Sequence, residues 1–272
     1  MAAMGPELTF GTDLYRGTAP YYDRYRPPYP AVLLEDLSRR VGLSGSGRLL
    51  DLACGTGQVA IPLAGCFAEV VAVDQEPDSV AFGRDRAEVA GITNIGWVCD
   101  AAETVAVDGP FELVTVGRAF HRLDRRRVAC RMFDWAQPGG GVALIWAGTP
   151  PQGERPWQKE LEAIFEEWMA KVGTTDRVPA GWQAAMTAVP HEALLREAGL
   201  DYVGKFEFAT NEDWTVESLI GFAYSTSMLN RLALGGQAVA FEAEMAERLS
   251  PFGTGGKFAQ AVSYAYELAR RP

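Results

Sequence analysis

The sequence has few of the residues that build metal centres, disulfide frameworks or nucleic-acid surfaces. Its 272 residues include two histidines, and its four cysteines are scattered without a Cys-x-x-Cys pair: Cys54, Cys66, Cys99 and Cys130. This usage disfavours both a metal site and a disulfide framework, and it is typical of a reducing cytoplasm. The formal net charge of −10 argues against a nucleic-acid partner, because surfaces that bind nucleic acid are basic.

The sequence also lacks the long apolar run of a membrane span and, in its first residues, the basic and apolar regions of a signal peptide. We therefore expect a cytoplasmic protein without a membrane partner. Apolar residues make up 48% of the chain, enough for a sizeable core, and the length suits one large domain or two small ones. One basic cluster, Arg122 with Arg125–Arg127, is interpreted as the solvated start of a helix.

Strands and helices alternate along the first half of the chain. Apolar and β-branched runs predict strands at residues 48–51, 70–73, 95–98, 111–116 and 142–146. Helices are predicted between them at 59–64, 78–90 and 125–136. This alternation predicts a parallel sheet with helices on both faces. The later patterns predict helices at 157–171, 191–198, 216–232 and 238–249, and strands at 202–208 and 258–268.

The most informative segment is Arg48–Gln58, in which a short apolar strand ends in Asp51 and a small-residue loop with Gly55 and Gly57 leads into a helix. Glycine accepts left-handed backbone torsions and lets the chain pass close to a ligand. Open α/β sheets bind their ligands at the carboxyl ends of the strands, which is where Asp51 lies. The segment therefore predicts a cofactor site above the first strand.

Three classes of cofactor compete for this site. A P-loop needs Gly-Lys-Ser/Thr at its end, whereas Gly57 is followed by Gln58, Val59 and Ala60. A dinucleotide stays open, because Ala60 is a permitted third residue of the Gly-x-Gly-x-x-Gly/Ala pattern. The Asp51 carboxylate disfavours a pyrophosphate, which it would repel, and favours an ammonium group such as that of S-adenosylmethionine.

The run Leu50–Gly57 strongly resembles the first motif of class I S-adenosylmethionine-dependent methyltransferases. The resemblance implies an α/β fold with a Rossmann-like, seven-stranded, mostly parallel sheet, helical lid additions and the two late strands antiparallel at one edge. It also implies S-adenosylmethionine as the cofactor, which leaves as S-adenosylhomocysteine. In this loop we expect Ala53, Gly55 and Gly57 to bind the cofactor, with its methionine end over Asp51.

Two further acids end the second and third strands. Asp74 follows the first acid by 23 positions, close to the spacing at which nucleotide folds place a ribose-binding carboxylate, and Gln75 stands beside it. The alternative role for Asp74 is that of a helix cap. By resemblance to the family, Asp100 approaches the adenine amino group and Ala101 offers its backbone N–H. Three acids at three strand ends are more specific than any one of them.

Residues 21–30 resemble the Tyr-x-x-Tyr-Arg-Pro-x-Tyr-Pro segment of small-molecule enzymes similar to trans-aconitate methyltransferases, in which the segment folds over the cofactor. The resemblance implies that Arg26 pairs with the methionine carboxylate, which suits a guanidinium fork. It also implies that Tyr21 and Tyr25 line the methyl-transfer pocket, with Tyr25 as a candidate catalytic residue. The alternative is a Pro-rich connector whose tyrosines pack against the sheet.

The loop at 117–124 resembles the Ala-x-His-Trp-x-Asp loop of the same relatives, except that Arg122 replaces the tryptophan and Arg118 replaces an amide. His121 is the candidate general base, because it follows the end of a strand near the expected sulfonium. The alternative is that His121 only orders the loop. Arg118 is counted among the cofactor-binding residues.

Two aromatic residues, Phe120 and Tyr224, are assigned to the substrate pocket. For Tyr224 the favoured alternative is a buried position on an amphipathic helix. The second histidine, His191, begins a predicted helix and is interpreted as structural.

These patterns predict a methyltransferase that acts on the oxygen or nitrogen, less readily the carbon, of a small molecule. The high Ala, Gly and Arg usage is typical of a GC-rich genome, such as that of an actinobacterium. From this we expect a role in natural-product biosynthesis. The alternatives are an NAD-linked oxidoreductase and a catalytically inactive regulatory protein that binds S-adenosylmethionine. We expect a single domain over 1–272, with an N-terminal lid segment at 1–45, a cofactor-binding core at 46–150, and substrate-side helices and antiparallel strands at 151–272. No pattern predicts the oligomeric state.

Overall fold

The computed structural model describes residues 10–11 and 13–272, whose strands form one seven-stranded sheet. The strands are β1 (Arg48–Leu52), β2 (Glu69–Asp74), β3 (Ile95–Cys99), β4 (Phe111–Gly117), β5 (Ala136–Ala147), β6 (Asp201–Trp214) and β7 (Phe258–Arg270). Their order in the sheet is β3-β2-β1-β4-β5-β7-β6. The first five strands pair in parallel, and β7 pairs antiparallel with both β5 and β6. The predicted Rossmann-like, mostly parallel sheet is confirmed.

Proline and glycine mark the ends of several helices. Pro77 and Pro156 stand in the first turn of their helices, where no backbone N–H is needed, and Gly42 ends another helix with a φ of 78°. Within the described residues, no helix is long and apolar enough to cross a membrane. The helices are α1 (Ala19–Tyr25), α2 (Ala31–Val41), α3 (Ala60–Leu63), α4 (Pro77–Val89), α5 (Arg125–Trp135), α6 (Pro156–Lys171), α7 (Trp182–Ala188), α8 (His191–Glu197), α9 (Val216–Tyr224), α10 (Arg231–Leu234) and α11 (Ala238–Leu249).

Apolar side chains alternate between the two faces of the central strands. Leu49 packs in a cluster with residues of α2, whereas Leu50 and Leu52 pack in a second cluster with residues of α5 and α8. A third cluster joins α6, α9 and α11 around Trp168 and Phe241. Because β1 is buried on both faces, its carboxyl end is a fixed platform for the loop that follows.

The strand order reverses between β1 and β4. From β1 the chain moves outward through β2 and β3, and it then returns to place β4 on the other side of β1. The connections on the two sides run in opposite directions, which leaves a crevice at the carboxyl ends of these two strands. Sheets of this type bind their ligands in that crevice.

The helix predicted at 216–232 is wrong beyond Tyr224. Ser225 and Thr226 donate their hydroxyl groups to carbonyls three residues earlier, at 2.5 and 2.7 Å, and a turn replaces the helix there. The side chain of Asn230 accepts the backbone N–H that begins α10. The resulting turn, residues 225–230, is called the serine turn below.

Two strands are longer than predicted. β5 was predicted at 142–146 but begins at Ala136, so that the Pro138–Gly140 run lies within the strand beside a shift in its register with β4. β6 continues to Trp214, whose indole N–H donates to Gln260 of β7 at 2.8 Å. Both extensions depend on pairing with a neighbouring strand, which local patterns do not contain.

Candidate active site

A cleft opens above the carboxyl ends of β1 to β4, at the point where the strand order reverses. Four of the stretches of sequence that line it follow these strands, because parallel strands bring their carboxyl ends to one edge of the sheet. The lining includes most of the residues predicted to bind the cofactor: Ala53, Gly55, Asp74, Gln75, Asp100, Ala101 and Arg118.

Left-handed backbone marks both sides of the cleft. Ala53 directly follows β1 with a φ of 50°, and Arg118 directly follows β4 with a φ of 54°. Such torsions cost about 1–2 kcal/mol in a residue that has a Cβ, and they concentrate at functional sites. Gly57 has a φ of 81°, and a Cβ there would lie 2.8 Å from the Trp97 ring. The loop after β1 is therefore held in one conformation, and Gly57 packs against Trp97.

Asp51 supports this loop from below. Its carboxylate accepts the hydroxyl of Thr115 at 2.7 Å and the backbone N–H of Ala60 at 3.1 Å, and the residue is 1% exposed. Burial raises the pKa of Asp51 to about 7. The charge at neutral pH is therefore partial, which weakens the electrostatic argument made from the sequence. Asp51 lines a small side cavity together with Ala53 and Gly55.

The acids that end β2 and β3 meet in the cleft, as the sequence predicts. Asp74 accepts the backbone N–H of Gly55 at 2.7 Å and that of Glu76 at 2.9 Å, and burial raises its pKa. Asp100 accepts the N–H of Ala101 at 2.7 Å, and its own N–H donates to the Asp74 carbonyl at 3.1 Å. These bonds fix both carboxylates relative to the glycine loop.

Two acidic residues of the cleft were missed by the sequence analysis, Glu76 and Glu103. Glu76 is 6% exposed, and burial raises its pKa. It precedes α4 at the position of an N-cap, but its side chain makes no capping hydrogen bond. In the sequence, Glu76 has the position of a helix cap. Only the structure shows that its side chain does not cap α4 and lines the cleft.

Of the two predicted cofactor arginines, Arg118 lines the cleft on its β4 side, whereas Arg26 is absent from the lining. Arg26 donates from Nε to the Ser225 hydroxyl at 2.7 Å, and burial lowers its pKa. Arg118 donates from Nη2 to the carbonyl of Pro27 at 3.1 Å. These bonds attach the N-terminal segment to the β4 loop and to the serine turn.

Arg122 also lines the cleft, so that the interpretation of its cluster as a solvated helix start is wrong for this residue. Its Nη2 donates to the Ser227 hydroxyl at 3.1 Å, and the serine turn holds it inward. Arg125 bonds the carbonyl of Ala185, whereas Arg127 is exposed as expected.

His121 lies in a second cavity of about 210 Å³, which shares Arg118 and Ala119 with the cleft. Its other walls include Phe120, as predicted for a substrate pocket, and Trp146. Burial, with Arg122 nearby, lowers the pKa of His121 to about 4. The imidazole is therefore neutral at pH 7 and a weak base.

His191, interpreted from the sequence as structural, lines the same second cavity. Its Nδ1 lies 3.2 Å from Oε1 of Glu267, a buried acid on β7. Its ring meets that of Phe120 edge-to-face with centroids 5.3 Å apart. The carboxylate comes from a strand 76 positions later, so that no local pattern could reveal the pair.

Three tyrosines predicted near the methyl group lie elsewhere. Tyr25 donates its hydroxyl to Glu217 at 3.0 Å, and Tyr224 donates to Glu242 at 2.6 Å. Tyr21 packs edge-to-face on Tyr224 at 5.2 Å. None of these three belongs to the cleft lining in the described part of the chain. These tyrosines lie where α1 packs against α9. The two helices are so close that a Cβ on Gly221 of α9 would lie 2.2 Å from the Tyr25 ring.

Other residues of the N-terminal segment line the cleft in their place: Phe10, Leu14, Tyr15, Thr18 and Tyr22. Thr18 and Tyr22 are four positions apart, so that they share one face around the start of α1. Tyr21 and Tyr25 are also four positions apart, so that the spacing alone does not tell which face of α1 turns to the cleft; the contacts of Tyr25 and Tyr21 with α9 decide it.

Comparison with known proteins identifies the family. Residues 49–140 match the family described as a methyltransferase domain. The demethylmenaquinone methyltransferase of Thermus thermophilus is 33% identical over 149 residues, 54% of this chain and 60% of the relative. A ubiquinone biosynthesis O-methyltransferase of Cereibacter sphaeroides is 30% identical over 177 residues, 62% and 66% of the two chains. The chain thus spans less than two thirds of the length of these relatives.

Solved structures share the fold. A putative type II methyltransferase from Anaeromyxobacter dehalogenans superposes with a TM-score of 0.61 over 90% of this chain and 97% of that one, at 19% identity. Residues 49–140 thus form a methyltransferase domain, and the chain has the fold of the class I S-adenosylmethionine-dependent methyltransferases. A putative methyltransferase from Bacillus halodurans, with a TM-score of 0.53 over 88% and 98% of the chains at 19% identity, has the same fold.

The glycine loop of this methyltransferase domain fits S-adenosylmethionine better than a dinucleotide. Dinucleotide folds direct free backbone N–H groups of this loop at a pyrophosphate. Here the N–H of Gly55 donates to Asp74, that of Gly57 to the Cys54 carbonyl at 2.9 Å, and that of Ala60 to Asp51. The loop therefore presents carboxylates, which accept hydrogen bonds from hydroxyl, amino and ammonium groups.

Charge is also divided across the cleft. Acids line the β2 and β3 side, through Asp74, Glu76 and Asp100, and arginines line the β4 side, through Arg118 and Arg122. An uncharged adenosine suits the acidic side, and a methionine carboxylate suits the basic side. The residues present thus fit the cofactor of the family in one orientation.

Proposed function

We propose that this chain transfers the methyl group of S-adenosylmethionine to an oxygen or nitrogen of a small molecule bound in the second cavity. The observation that carries the proposal is the joint placement of Asp74, Asp100 and Arg118 around one cleft beside the glycine loop. Carbon is the less favoured acceptor atom, although relatives include enzymes named C-methyltransferases.

The adenosine end is assigned to the acidic side. Asp74 would accept the ribose hydroxyls, and Asp100 the adenine amino group, with Ala101 and Gln75 beside them. Ala53, Gly55 and Gly57 shape the backbone on which the cofactor lies, and Asp51 fixes that loop from below. This assignment uses carboxylates that the fold already orients through backbone N–H groups.

The methionine end is assigned to the basic side, where Arg118 lines the cleft and Arg26 adjoins it. When bound, S-adenosylmethionine supplies a methyl carbon made electrophilic by its sulfonium. The contribution of the protein is then to align the acceptor and exclude water, for which effective molarities can reach about 10⁵ M or more. The second cavity, with Phe120 and Trp146 in its walls, favours an acceptor with an aromatic or apolar part.

A proton acceptor is available in that cavity. His121 remains a candidate, but its low pKa makes it a weak base. We assign the stronger role to His191, because Glu267 orients its ring as a carboxylate orients the histidine of a catalytic triad. Tyr25 is a weaker candidate than either, since burial and its bond to Glu217 raise its pKa.

The N-terminal segment, predicted as a lid at 1–45, would cover the bound cofactor. In its described part, Tyr15 and Tyr22 line the cleft. Arg86 of α4 ties the segment down, through an ion pair with Asp23 at 2.9 Å and a bond to the Thr56 carbonyl at 2.8 Å. A single domain, with cofactor core 46–150 and substrate side 151–272, accords with the continuous sheet.

The proposed setting is the cytoplasm, in which the four free cysteines would stay reduced. A small molecule, with no nucleic acid, is the proposed partner, and a step in natural-product biosynthesis is the proposed role. These three points follow from composition and charge.

The test is a turnover assay with S-adenosylmethionine and a panel of phenols, alcohols, amines and carboxylic acids, with S-adenosylhomocysteine as the detected product. We expect turnover of at least one acceptor class. Calorimetry of S-adenosylhomocysteine binding accompanies it, with Asp74→Ala and the exposed control Asp85→Ala. Loss of bonds to a charged acceptor costs about 1.5–3 kcal/mol, so that Asp74→Ala is expected to weaken binding at least tenfold.

Binding without turnover of any acceptor would favour the inactive regulatory protein. Equal affinity of wild type and a folded Asp74→Ala variant would contradict the ribose assignment. Asp85→Ala is expected to bind as the wild type does.

A further inference from the structure

Arg122 holds buried N–H groups that are without a partner in the described part of the chain. Its Nε and Nη1 are buried and have no hydrogen-bond partner among the described residues. Its Nη2 donates to the Ser227 hydroxyl at 3.1 Å, an uncharged partner. Since Nε carries one hydrogen and Nη1 two, three of the five guanidinium donors lack an acceptor.

The surroundings of Arg122 keep it away from water without neutralising it. Its guanidinium carbon lies 5.0 Å from the Phe10 ring centroid and 5.3 Å from that of Tyr15. Two further arginines, Arg26 and Arg118, are half-buried in the same region. In the part of the chain that the structure describes, none of the three arginines forms an ion pair with a carboxylate.

A buried guanidinium without a counter-ion is unfavourable, and a buried donor without an acceptor adds to the cost. Such an arrangement persists where a ligand supplies the missing charge. Because Arg122 lines the cleft, a ligand in the cleft can reach it.

The cofactor accounts for one of these positive charges at most, since it has one carboxylate. Arg26 and Arg118 are placed for that role: their guanidinium groups are oriented by Ser225 and by the Pro27 carbonyl. Arg122 is the one of the three that retains buried donors without acceptors in the described chain. An excess guanidinium is therefore left for the second substrate.

We propose that the methyl acceptor carries a carboxylate and that Arg122 binds it. The proposal deepens the proposed function and rests on it. One uncompensated guanidinium balances one carboxylate and forms charge-assisted hydrogen bonds with it. The adjoining cavity around Phe120 and Trp146 takes the apolar part of the same molecule. The acceptor is thus a small aromatic or apolar acid, held by its carboxylate while another atom receives the methyl group.

The test uses two pairs of probes that differ only in charge: benzoate with benzamide, and 3-phenylpropanoate with 3-phenylpropanamide. Calorimetry measures each against protein saturated with S-adenosylhomocysteine. We expect the wild type to bind at least one acid about tenfold tighter than its amide, the equivalent of one charge-assisted bond. Arg122→Gln is expected to bring acid and amide to within about twofold of each other.

Two variants control for folding and for charge. Arg127→Gln removes the same charge from an exposed position nearby and is expected to keep the preference of the wild type. Arg122→Lys keeps the charge and is expected to retain part of the preference. S-adenosylhomocysteine affinity of Arg122→Gln is expected to stay within about threefold of the wild type, which also shows that the variant is folded.

Equal binding of acid and amide to the wild type would overturn the proposal, as would a preference that survives Arg122→Gln. A loss of S-adenosylhomocysteine affinity in Arg122→Gln that exceeds the loss of acid affinity would assign Arg122 to the cofactor and overturn it as well. Failure of the wild type to bind S-adenosylhomocysteine at all would instead overturn the proposed function, and this inference with it.

Discussion

Replacing Asp51 by asparagine is predicted to change how the free energy of unfolding depends on pH, with a sign and size that follow from the burial of the carboxyl group. The carboxylate is 1% exposed, and its two partners are the Thr115 hydroxyl and the Ala60 N–H. An asparagine can keep both contacts: its oxygen accepts from Ala60, and its amide donates to Thr115. The Thr115 hydroxyl then turns to the Leu50 carbonyl, which lies 3.5 Å away. The substitution therefore removes the charge with little change in packing.

The size follows from the pKa of Asp51, which burial raises from 3.8 to about 7. Between pH 4 and 7 the folded protein keeps the proton of Asp51, whereas the unfolded chain releases it. The contribution of Asp51 to the free energy of unfolding is therefore fully present below about pH 4 and is lost as the pH rises to 7. The slope is about 1.4 kcal/mol per pH unit, which makes a loss of about 4 kcal/mol over the interval. Asp51→Asn has no such proton and is expected to lack this contribution.

The assay is urea unfolding of wild type and Asp51→Asn, followed by tryptophan fluorescence between pH 4 and 8 without ligand. The difference in unfolding free energy between variant and wild type is expected to grow in favour of the variant by about 4 kcal/mol over this range. A difference that is constant with pH would refute a raised pKa at Asp51. A difference of opposite slope would show that ionised Asp51 stabilises the fold.

Three further outcomes follow from the same site. Burial lowers the pKa of His121 to about 4, so that its contribution to the free energy of unfolding is lost as the pH falls from about 6.5 to 4. In urea unfolding, His121→Asn is expected to show a weaker dependence of the unfolding free energy on pH in that window. The variant is expected to retain kcat. His191→Asn is expected to lower kcat about 10²-fold or more in the turnover assay; an unchanged kcat would make His191 structural. Gly83→Ala places a Cβ 2.4 Å from the Trp97 ring and is expected to cost about 1–3 kcal/mol of stability in urea unfolding, whereas a stabilised variant would show that Trp97 moves freely.

The sheet and its acids could be predicted because their signals are local. Each strand carries its own apolar run, and the acids Asp74 and Asp100 stand where those runs end. Parallel pairing then brings the strand ends together without further information. The same logic explains why Arg118 was placed correctly beside the cleft.

The contacts that local patterns did not reveal join distant segments. Arg122 belongs to a run of arginines that is locally indistinguishable from a solvated helix start, and the serine turn, about a hundred residues later, holds it inward. His191 gains its partner from β7, and Tyr25 is held away from the cleft by Glu217 of α9. Local patterns contain none of these pairings, which arise when α9 and β7 pack against the first half of the chain.

The most direct test of the central claim, that the cleft between β1 and β4 binds S-adenosylmethionine, is calorimetry of the unmodified protein with S-adenosylhomocysteine and, separately, NADH. The structure predicts saturable binding of one S-adenosylhomocysteine per chain and no measurable heat with NADH, because the loop N–H groups that would bind a pyrophosphate already donate to Asp74, Asp51 and the Cys54 carbonyl. Binding of NADH at equal or higher affinity than S-adenosylhomocysteine would contradict it.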